Sequence, residues 1–312
     1  MSDRQLLSIV TPCFNEQDNV DELYRRLKAA IAPLSQYEFE IIFIDNASED
    51  ETVAKVKKLA AADPTVKLIV NTRNFGHIRS PYYGITQSRG AATVYLASDL
   101  QDPPELIPEF IREWENGYKL VMAIKPISKG NALVHSMRKS YYRLLDGISD
   151  ISLLSDSTGF GLYDKAVLEN LRKIDDPYPY LRGLVCELGY EIKTIPFEQP
   201  RRLRGISKNN LYTLYDIAML GIVSHSKVPI RIAAFLGFVM GFLSVFAALI
   251  YLIFKLVFWY EFPIGVAPIV IGVFFLFGIQ LMFVGILGEY IGSIHTYVQR
   301  RPTVVEKERV NF

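Results

Sequence analysis

Cysteine is nearly absent: 312 residues contain two, Cys13 and Cys186, far apart and in no C-x-x-C pair. That excludes a disulfide scaffold and a cysteine zinc site, and it suits a reducing compartment. A charge excess is also missing, since 34 Lys and Arg face 33 Asp and Glu for a net charge of +1. Nucleic acid is therefore not an expected partner. No G-x-G-x-x-G follows the first predicted strand and no G-x-x-x-x-G-K-[ST] occurs, so neither a dinucleotide fingerprint nor a P-loop is present. Histidine is scarce, and His77 and His135 each stand alone, so neither is taken as a catalyst or ligand. Charged residues at 21% and apolar residues at 50% exclude global disorder and a coiled coil.

Charge is missing altogether from Ile232–Phe254 and from Ile264–Leu287. Each is longer than the ~20 residues a helix needs to cross a bilayer core. The alternative, a pair of buried core helices, is a poor fit because core helices rarely stay uncharged on every side. Lys255–Pro263 makes a hairpin connection in which Trp259 and Tyr260 suit the headgroup level. Lys227 and Arg231 flank one end of the pair, and Arg300, Arg301, Lys307 and Arg309 the other. The positive-inside rule then places residues 1–229 and the C-terminal tail in the cytoplasm, with an integral inner-membrane location. The opening MSDRQLLSIV has no basic region followed by a long apolar run, so no cleaved signal is expected. Leu211, Leu214, Tyr215, Ala218, Met219 and Ile222 follow helical spacing, as do Tyr290, Ile291, Ile294 and Val298. Both segments suit either the membrane surface or packing on the soluble part. Gly237-x-x-x-Gly241 and Gly288-x-x-x-Gly292 permit close helix contact in a homo-oligomer. The predicted organisation is a cytosolic domain over 1–206, an interfacial helix over 207–229, a transmembrane hairpin over 230–288, and a juxtamembrane helix and tail over 289–312.

The soluble part alternates. Leu6–Thr11, Phe39–Ile44, Val66–Val70 and Ala92–Leu96 read as buried strands. Val20–Ala32, Thr52–Ala62 and a segment near Ile78–Ser88 read as helices. Such alternation predicts an α/β fold with a mostly parallel sheet covered on both faces, whose ligands bind at the carboxyl ends of the strands. Polar groups gather there: Asn15 and Glu16 after the first strand, Asp45 after the second, Arg73 and Asn74 after the third, Asp99 and Asp102 after the fourth. One such residue is ordinarily a cap or turn residue, and Asp50 is read that way, ahead of the Glu51–Ala62 helix. Four strand ends in register point to a site.

Asp99, Gln101 and Asp102 lie in one turn, S98-D-L-Q-D-P-P-E105. Hard oxygen donors at that density suit Mg2+ or Mn2+ bridging a diphosphate. The competing reading is a solvated turn that starts the Glu105–Asn116 helix. Arg201, Arg202, Arg204 and Lys208 form a basic cluster just before the interfacial segment. It suits either a lipid phosphate or nonspecific attraction to anionic lipid. Arg138 and Lys139 are further candidates for a phosphate.

V10-T-P-C-F-N-E16, I42-F-I-D-N-A-S-E-D50, R73-N-F-G-H77, S98-D-L-Q-D-P-P-E105 and R204-G-I-S-K208 resemble, in order, the inverting family 2 glycosyltransferases. Within these the chain is similar to the polyisoprenyl-phosphate branch, which includes dolichyl-phosphate mannose synthase and bacterial undecaprenyl-phosphate glucosyltransferases. The resemblance implies a GT-A fold and a metal-dependent hexosyltransferase. It implies a UDP-sugar donor, glucose first among the hexoses, and a polyisoprenyl phosphate acceptor. Pro12, Asn15 and Glu16 would line the nucleoside pocket, with Asp45 recognising the base and Arg73 close by. The family's metal motif reads Asp-x-Asp followed by x-Gln. Ala97 stands in the place of its first Asp, and Asp99 and Gln101 match the later ligands, with Asp102 available to compensate. Asp156, in S155-D-S-T-G-F160, resembles the acidic position beside the sugar, and a turn-capping role there is equally open. The chemistry asks for cations to hold an anionic acceptor against an anionic donor. It asks for no strong base, because a phosphate monoester with a second pKa of ~6 is largely ionised at neutral pH. Two other readings are open. One is a processive polysaccharide synthase, whose Q-x-x-R-W element is absent, since Gln299 is followed by Arg300, Arg301 and Pro302. The other is a non-catalytic nucleotide-sugar-binding scaffold, which Ala97 alone favours.

Overall fold

A computed structural model describes residues 4–125, 154, 157–200, 228–258 and 266–312. The predicted first strand, near-continuously apolar from Leu6, is β1 (Gln5–Cys13). It is followed by α1 (Val20–Ile31), β2 (Tyr37–Asp45), α2 (Thr52–Ala62), β3 (Val66–Asn71), α3 (Gly76–Thr86) and β4 (Ala92–Tyr95). These match the sequence expectations to within two residues at each end. A 3-10 turn over Pro104–Leu106 then leads into α4 (Ile107–Glu115), with Pro104 and Pro108 in first-turn positions where a missing N–H is no loss.

The remaining strands carry weaker signals. They are β5 (Leu120–Ile124), β6 (Ser157–Asp164), β7 (Ile192–Pro196) and β8 (Glu306–Val310), with α5 (Lys165–Lys173) and α6 (Leu181–Glu187) between β6 and β7. Eight strands make one sheet in the order β7-β5-β6-β4-β1-β2-β3-β8. β6 runs antiparallel to both β4 and β5, and β8 antiparallel to β3, while the other pairings are parallel. Gly161 is what lets β6 enter so closely, because a Cβ there would collide with the Val121 carbonyl oxygen and stand 3.0 Å from Met122 Cα.

Apolar helix faces cover the sheet on both sides, as expected for a parallel sheet. One core is closed by Leu23 and Leu27 of α1, Val56 of α2 and Phe110 of α4. The other is closed by Tyr82 and Ile85 of α3, Leu168 and Leu171 of α5, and Leu184 of α6. Gly84 brings α3 down onto the sheet, since a Cβ there would stand 2.7 Å from Ile44 Cγ2. At the amino ends of the strands, far from the site, Glu40 is 3% exposed. It accepts hydrogen bonds from the Ser8 hydroxyl, the Lys67 ammonium and the Arg89 N–H, so its buried charge is fully paired.

Two long apolar helices follow, α7 (Val228–Val257) and α8 (Val266–Val298). They contain the first uncharged stretch and residues 266–287 of the second. Their surfaces are apolar and uncovered: Phe238 is 80% exposed and Phe242 72%. Among the described residues, Phe275–Val298 is long and apolar enough to cross a membrane, and Val228–Ser244 is apolar but shorter. Tyr290–Val298 continues the second apolar helix without a break. The tail beyond it is an edge strand, with Val310 opposite Leu68 and Glu308 opposite Val70. Its alternating E-K-E-R-V pattern carries too little apolar character to announce a strand. Asn311 fixes the end by donating to the carbonyls of Ala60 (2.8 Å) and Val66 (2.9 Å).

Candidate active site

The chain runs β1-β2-β3 outward on one side of β1 and then returns to place β4 on the other. A crevice opens where such an order reverses, beyond the carboxyl ends of the strands. Here the two strand ends are tied together: the Ser98 hydroxyl donates to the Pro12 carbonyl at 2.7 Å.

The loops after β1 and β2 are laced by reciprocal side-chain to backbone bonds. Asn15, in the left-handed region at φ 56°, donates its N–H to Ser48 Oγ (2.8 Å), and its Oδ1 accepts the Glu49 N–H (2.8 Å). Glu16 N–H donates to Thr52 Oγ1 (2.8 Å). Gln17 N–H donates to Asp50 Oδ2 (3.2 Å), and Gln17 Oε1 accepts the Glu51 N–H (3.0 Å). Asp50 also accepts the Thr52 N–H at the start of α2, so its expected turn-and-cap role is present and is joined by the link to Gln17. Left-handed backbone at Asn15 is tolerated because asparagine adopts it at little cost. The result is a rigid rim.

Asp45 ends β2 fully buried beneath that rim. Its carboxylate accepts the Ser48 N–H (2.9 Å) and the Ser48 hydroxyl. Burial pushes its pKa up, against the pull of the Ser48 bonds, with the nearby Asp50 charge adding to the rise. Cys13, also buried, has its thiol pushed well up by burial and by the surrounding carboxylates Asp45, Glu16 and Asp50, so it is held as an unreactive thiol.

Asn46 is a positioning residue that sequence reading missed. Its side chain donates to Asn74 Oδ1 (2.8 Å) and accepts from the Phe75 N–H (2.9 Å) and the Asn71 amide (3.1 Å). It thus welds the loop after β3 to the loop after β2. The signal was only its place beside Asp45. Arg73 was expected near the base-recognising carboxylate. Its guanidinium lies over the Phe75 ring at 4.0 Å and donates to the Asn74 carbonyl (3.0 Å), and the residue lines a cleft of its own.

After β4 the turn is tight, with Leu100 in the left-handed region at φ 61°. Asp99 is half-buried, and its Oδ1 accepts the Gln101 N–H (3.1 Å). Asp102 is 3% exposed, and its Oδ2 accepts the Ala97 N–H at 3.0 Å. Its pKa rises to about 6, mainly through burial and further through the Asp99 charge, while the Ala97 bond, Lys125 and Arg182 oppose the rise. Asp102 therefore braces the turn from behind, and Asp99 is the carboxylate facing out. Gln101 reaches the Pro200 carbonyl at 3.5 Å. Lys125, just after β5, and Arg182, in α6, act on Asp102 as further charged neighbours that no motif had marked. Arg182 also lines a cavity of ≈ 110 Å³ with His77, Tyr95, Thr158, Gly159 and Tyr180.

These residues fit one divalent cation in part. Two neighbouring carboxylates, one of them with raised proton affinity, favour a positive charge beside them. Among the described residues, no three His, Cys, Asp or Glu side chains converge. Mg2+ commonly binds through one or two carboxylates with water and substrate phosphates. Asp156, Arg138, Arg201, Arg202, Arg204 and Lys208 lie outside the described residues, as does the predicted interfacial segment up to residue 227.

Sequence comparison gives the family. The profile of glycosyl transferase family 2 matches residues 8–172. The chain is 33% identical over 303 residues to an uncharacterized glycosyltransferase, YkcC, of Bacillus subtilis, covering 96% of this chain and 92% of that one. It is 31% identical over 304 residues to the SfII prophage-derived bactoprenol glucosyl transferase of Shigella flexneri, covering 97% of each. Among solved structures, the mannosyltransferase PcManGT from Pyrobaculum calidifontis, in complex with GDP-Man and Mn2+, aligns with a TM-score of 0.47 at 16% identity, over 71% of this chain and 63% of that one.

Proposed function

The chain belongs to glycosyl transferase family 2 and is a glycosyltransferase, and from that premise we propose that it moves a hexose, glucose first, from a UDP-sugar to a polyisoprenyl phosphate at the cytoplasmic face of a membrane. The observation that carries this reading is the near full-length similarity to a bactoprenol glucosyl transferase, together with the strand-order reversal at β1/β4, where Asp99 follows the end of β4. The nucleoside sits against Pro12 and the laced rim of Asn15 and Glu16, with Asp45 beneath it. Since Ser48 already occupies Asp45 with two bonds, base recognition draws on the carboxylate's remaining lone pairs.

Asp99 would hold a divalent cation, Mg2+ or Mn2+, which when bound would supply charge stabilisation for a departing diphosphate. Asp102 keeps the turn in place by gripping Ala97, and so replaces the missing first acidic residue by structure rather than by ligation. Gln101 lies at the same turn. Arg201, Arg202, Arg204, Lys208 and Arg138 are assigned to the acceptor phosphate, and Asp156 to the sugar hydroxyls or the acceptor. The acceptor oxygen needs no deprotonation near neutral pH, so the work of these cations is to bring two anions together.

The membrane reading has its own support. β8 and β3 belong to one sheet, so the chain that leaves after residue 200 must return to the same side of any bilayer before Glu306. Only an even number of crossings allows that. The apolar, uncovered surfaces of α7 and α8, joined through residues 258–265, suit a hairpin of two.

The test is transfer itself. Purified full chain is incubated with labelled UDP-glucose and short-chain polyprenyl phosphate, with and without Mg2+. Label entering an organic-extractable, acid-labile product supports the proposal. UDP binding without such a product supports the scaffold reading instead.

A further inference from the structure

A second cleft, of ≈ 340 Å³, lies between the loop after β3 and the end of α8, and shares no lining residue with the cavity beside Arg182. Its walls include Arg73, Phe75 and Arg79 from the first side, and Thr296, Gln299 and Arg301 from the second. Three arginines thus line one hollow. Among the described residues, no carboxylate forms a salt bridge with any of them. Arg79 Nε is buried and has no hydrogen-bond partner among the described residues, while its guanidinium stands over the Tyr178 ring at 5.1 Å. A buried donor without a partner carries a desolvation cost that an incoming acceptor would relieve. Asp176, beside the lining residue Pro177, is engaged with the Tyr178 N–H at 2.8 Å and with the Tyr297 hydroxyl.

The position of this hollow along α8 narrows its ligand. Ile291, Ile294 and Val298 are 62%, 60% and 74% exposed, so apolar side chains stand exposed up to the last helical residue, interrupted by Glu289 and His295. Arg300 and Arg301 follow at once. On the membrane reading above, on which this inference rests, that change of chemistry falls at headgroup depth.

We propose that Arg73, Arg79 and Arg301 form a binding site for a phosphate anion, supplied by the headgroup of an anionic phospholipid and distinct from the transfer crevice. Planar guanidinium forks suit phosphate oxygens, and three of them favour an anionic headgroup over a zwitterionic one. Tail strand β8 begins a few residues beyond Arg301, and the Val305 carbonyl just before it accepts the Thr72 N–H (2.9 Å), next to Arg73. A headgroup there would lock the domain against the bilayer at a fixed distance from α8.

The test uses the full chain in detergent with three probes: dioctanoyl phosphatidylglycerol, dioctanoyl phosphatidylcholine and inorganic phosphate. Native mass spectrometry reads retained lipid and thermal melting reads stabilisation. Phosphatidylglycerol should be retained and phosphatidylcholine not, and Arg301→Gln should weaken phosphatidylglycerol binding about tenfold, the loss of one charge-assisted contact. Arg301 is exposed, so that variant should fold even if Arg79→Gln, the second variant, does not. Stabilisation by inorganic phosphate equal to that by phosphatidylglycerol, and lost in Arg301→Gln, would keep the anion site and overturn its lipid source. Equal retention of both lipids, or an unchanged Arg301→Gln, would overturn the site. Transfer is not the readout, so an inactive transferase leaves this result intact.

Discussion

Ser98 and Pro12, 86 residues apart in sequence, are joined by one hydrogen bond of 2.7 Å that closes the carboxyl ends of β4 and β1 against each other. Ser98 is 3% exposed, so the bond is shielded from water. It sets the width of the crevice in which transfer is proposed. Ser98→Ala leaves the Pro12 carbonyl without that donor and should cost about 1–2 kcal/mol of stability. Thermal melting reads the loss. Transfer should fall further than stability explains, seen as reduced kcat at temperatures where the variant is fully folded. Unchanged kcat would show that the crevice does not depend on this tie.

Asp99 and Asp102 should separate cleanly. Asp99→Asn should lower transfer by roughly a hundredfold or more while leaving melting unchanged, because the residue faces out of the turn. Asp102→Asn keeps an oxygen that can accept the Ala97 N–H, so it should retain within about tenfold of the activity. Asp102→Ala should lose both fold stability and turnover. Equal damage from both Asn variants would make Asp102 a ligand rather than a brace.

Asp63 gives the pH prediction. Burial pushes its carboxyl up, but the Thr65 hydroxyl, the Lys28 ammonium and the Tyr24 hydroxyl together hold it far below the usual carboxylate range. A depressed folded-state pKa contributes stability that is present above the unfolded value of ~3.9 and is lost as pH falls through the folded value. Asp63→Asn should therefore melt lower than the wild type at pH 7. The gap should narrow as the pH drops below about 4, where only the unfolded carboxyl is protonated. A gap independent of pH would mean that Asp63 acts by shape alone.

Asn311 anchors the tail through two carbonyls, of Ala60 and Val66, that bracket the turn between α2 and β3. Asn311→Ala should cost about 1–3 kcal/mol and raise amide exchange in β3, whose edge β8 covers. Full protection of β3 in that variant would show that the ladder holds without its terminal bonds.

Local chemistry made half of the fold legible. Strands β1 to β4 are near-continuous apolar runs, and helices α1 and α2 have one apolar face, because a parallel sheet buries both sides of its strands. Four polar strand ends followed from the same pattern, and each lies at or just past the carboxyl end of its strand. The two apolar helices needed nothing but the absence of charge. The second half of the sheet was hidden, since β6 pairs through glycines and β8 through an alternation of charges, and neither has a local reason to be a strand.

What the amino-acid order by itself determined is the alternating α/β plan, the apolar pair and the family motifs, all set by contacts within a few turns of chain. Tertiary structure alone decided the rest. It turned Asp102 inward to Ala97, buried Asp45 under Ser48, gathered Arg73, Arg79 and Arg301 around one cleft, and brought the last residues back to β3. Each of these depends on which atoms are shut off from water, and on partners that lie from a few to more than two hundred positions apart, and no local pattern encodes either.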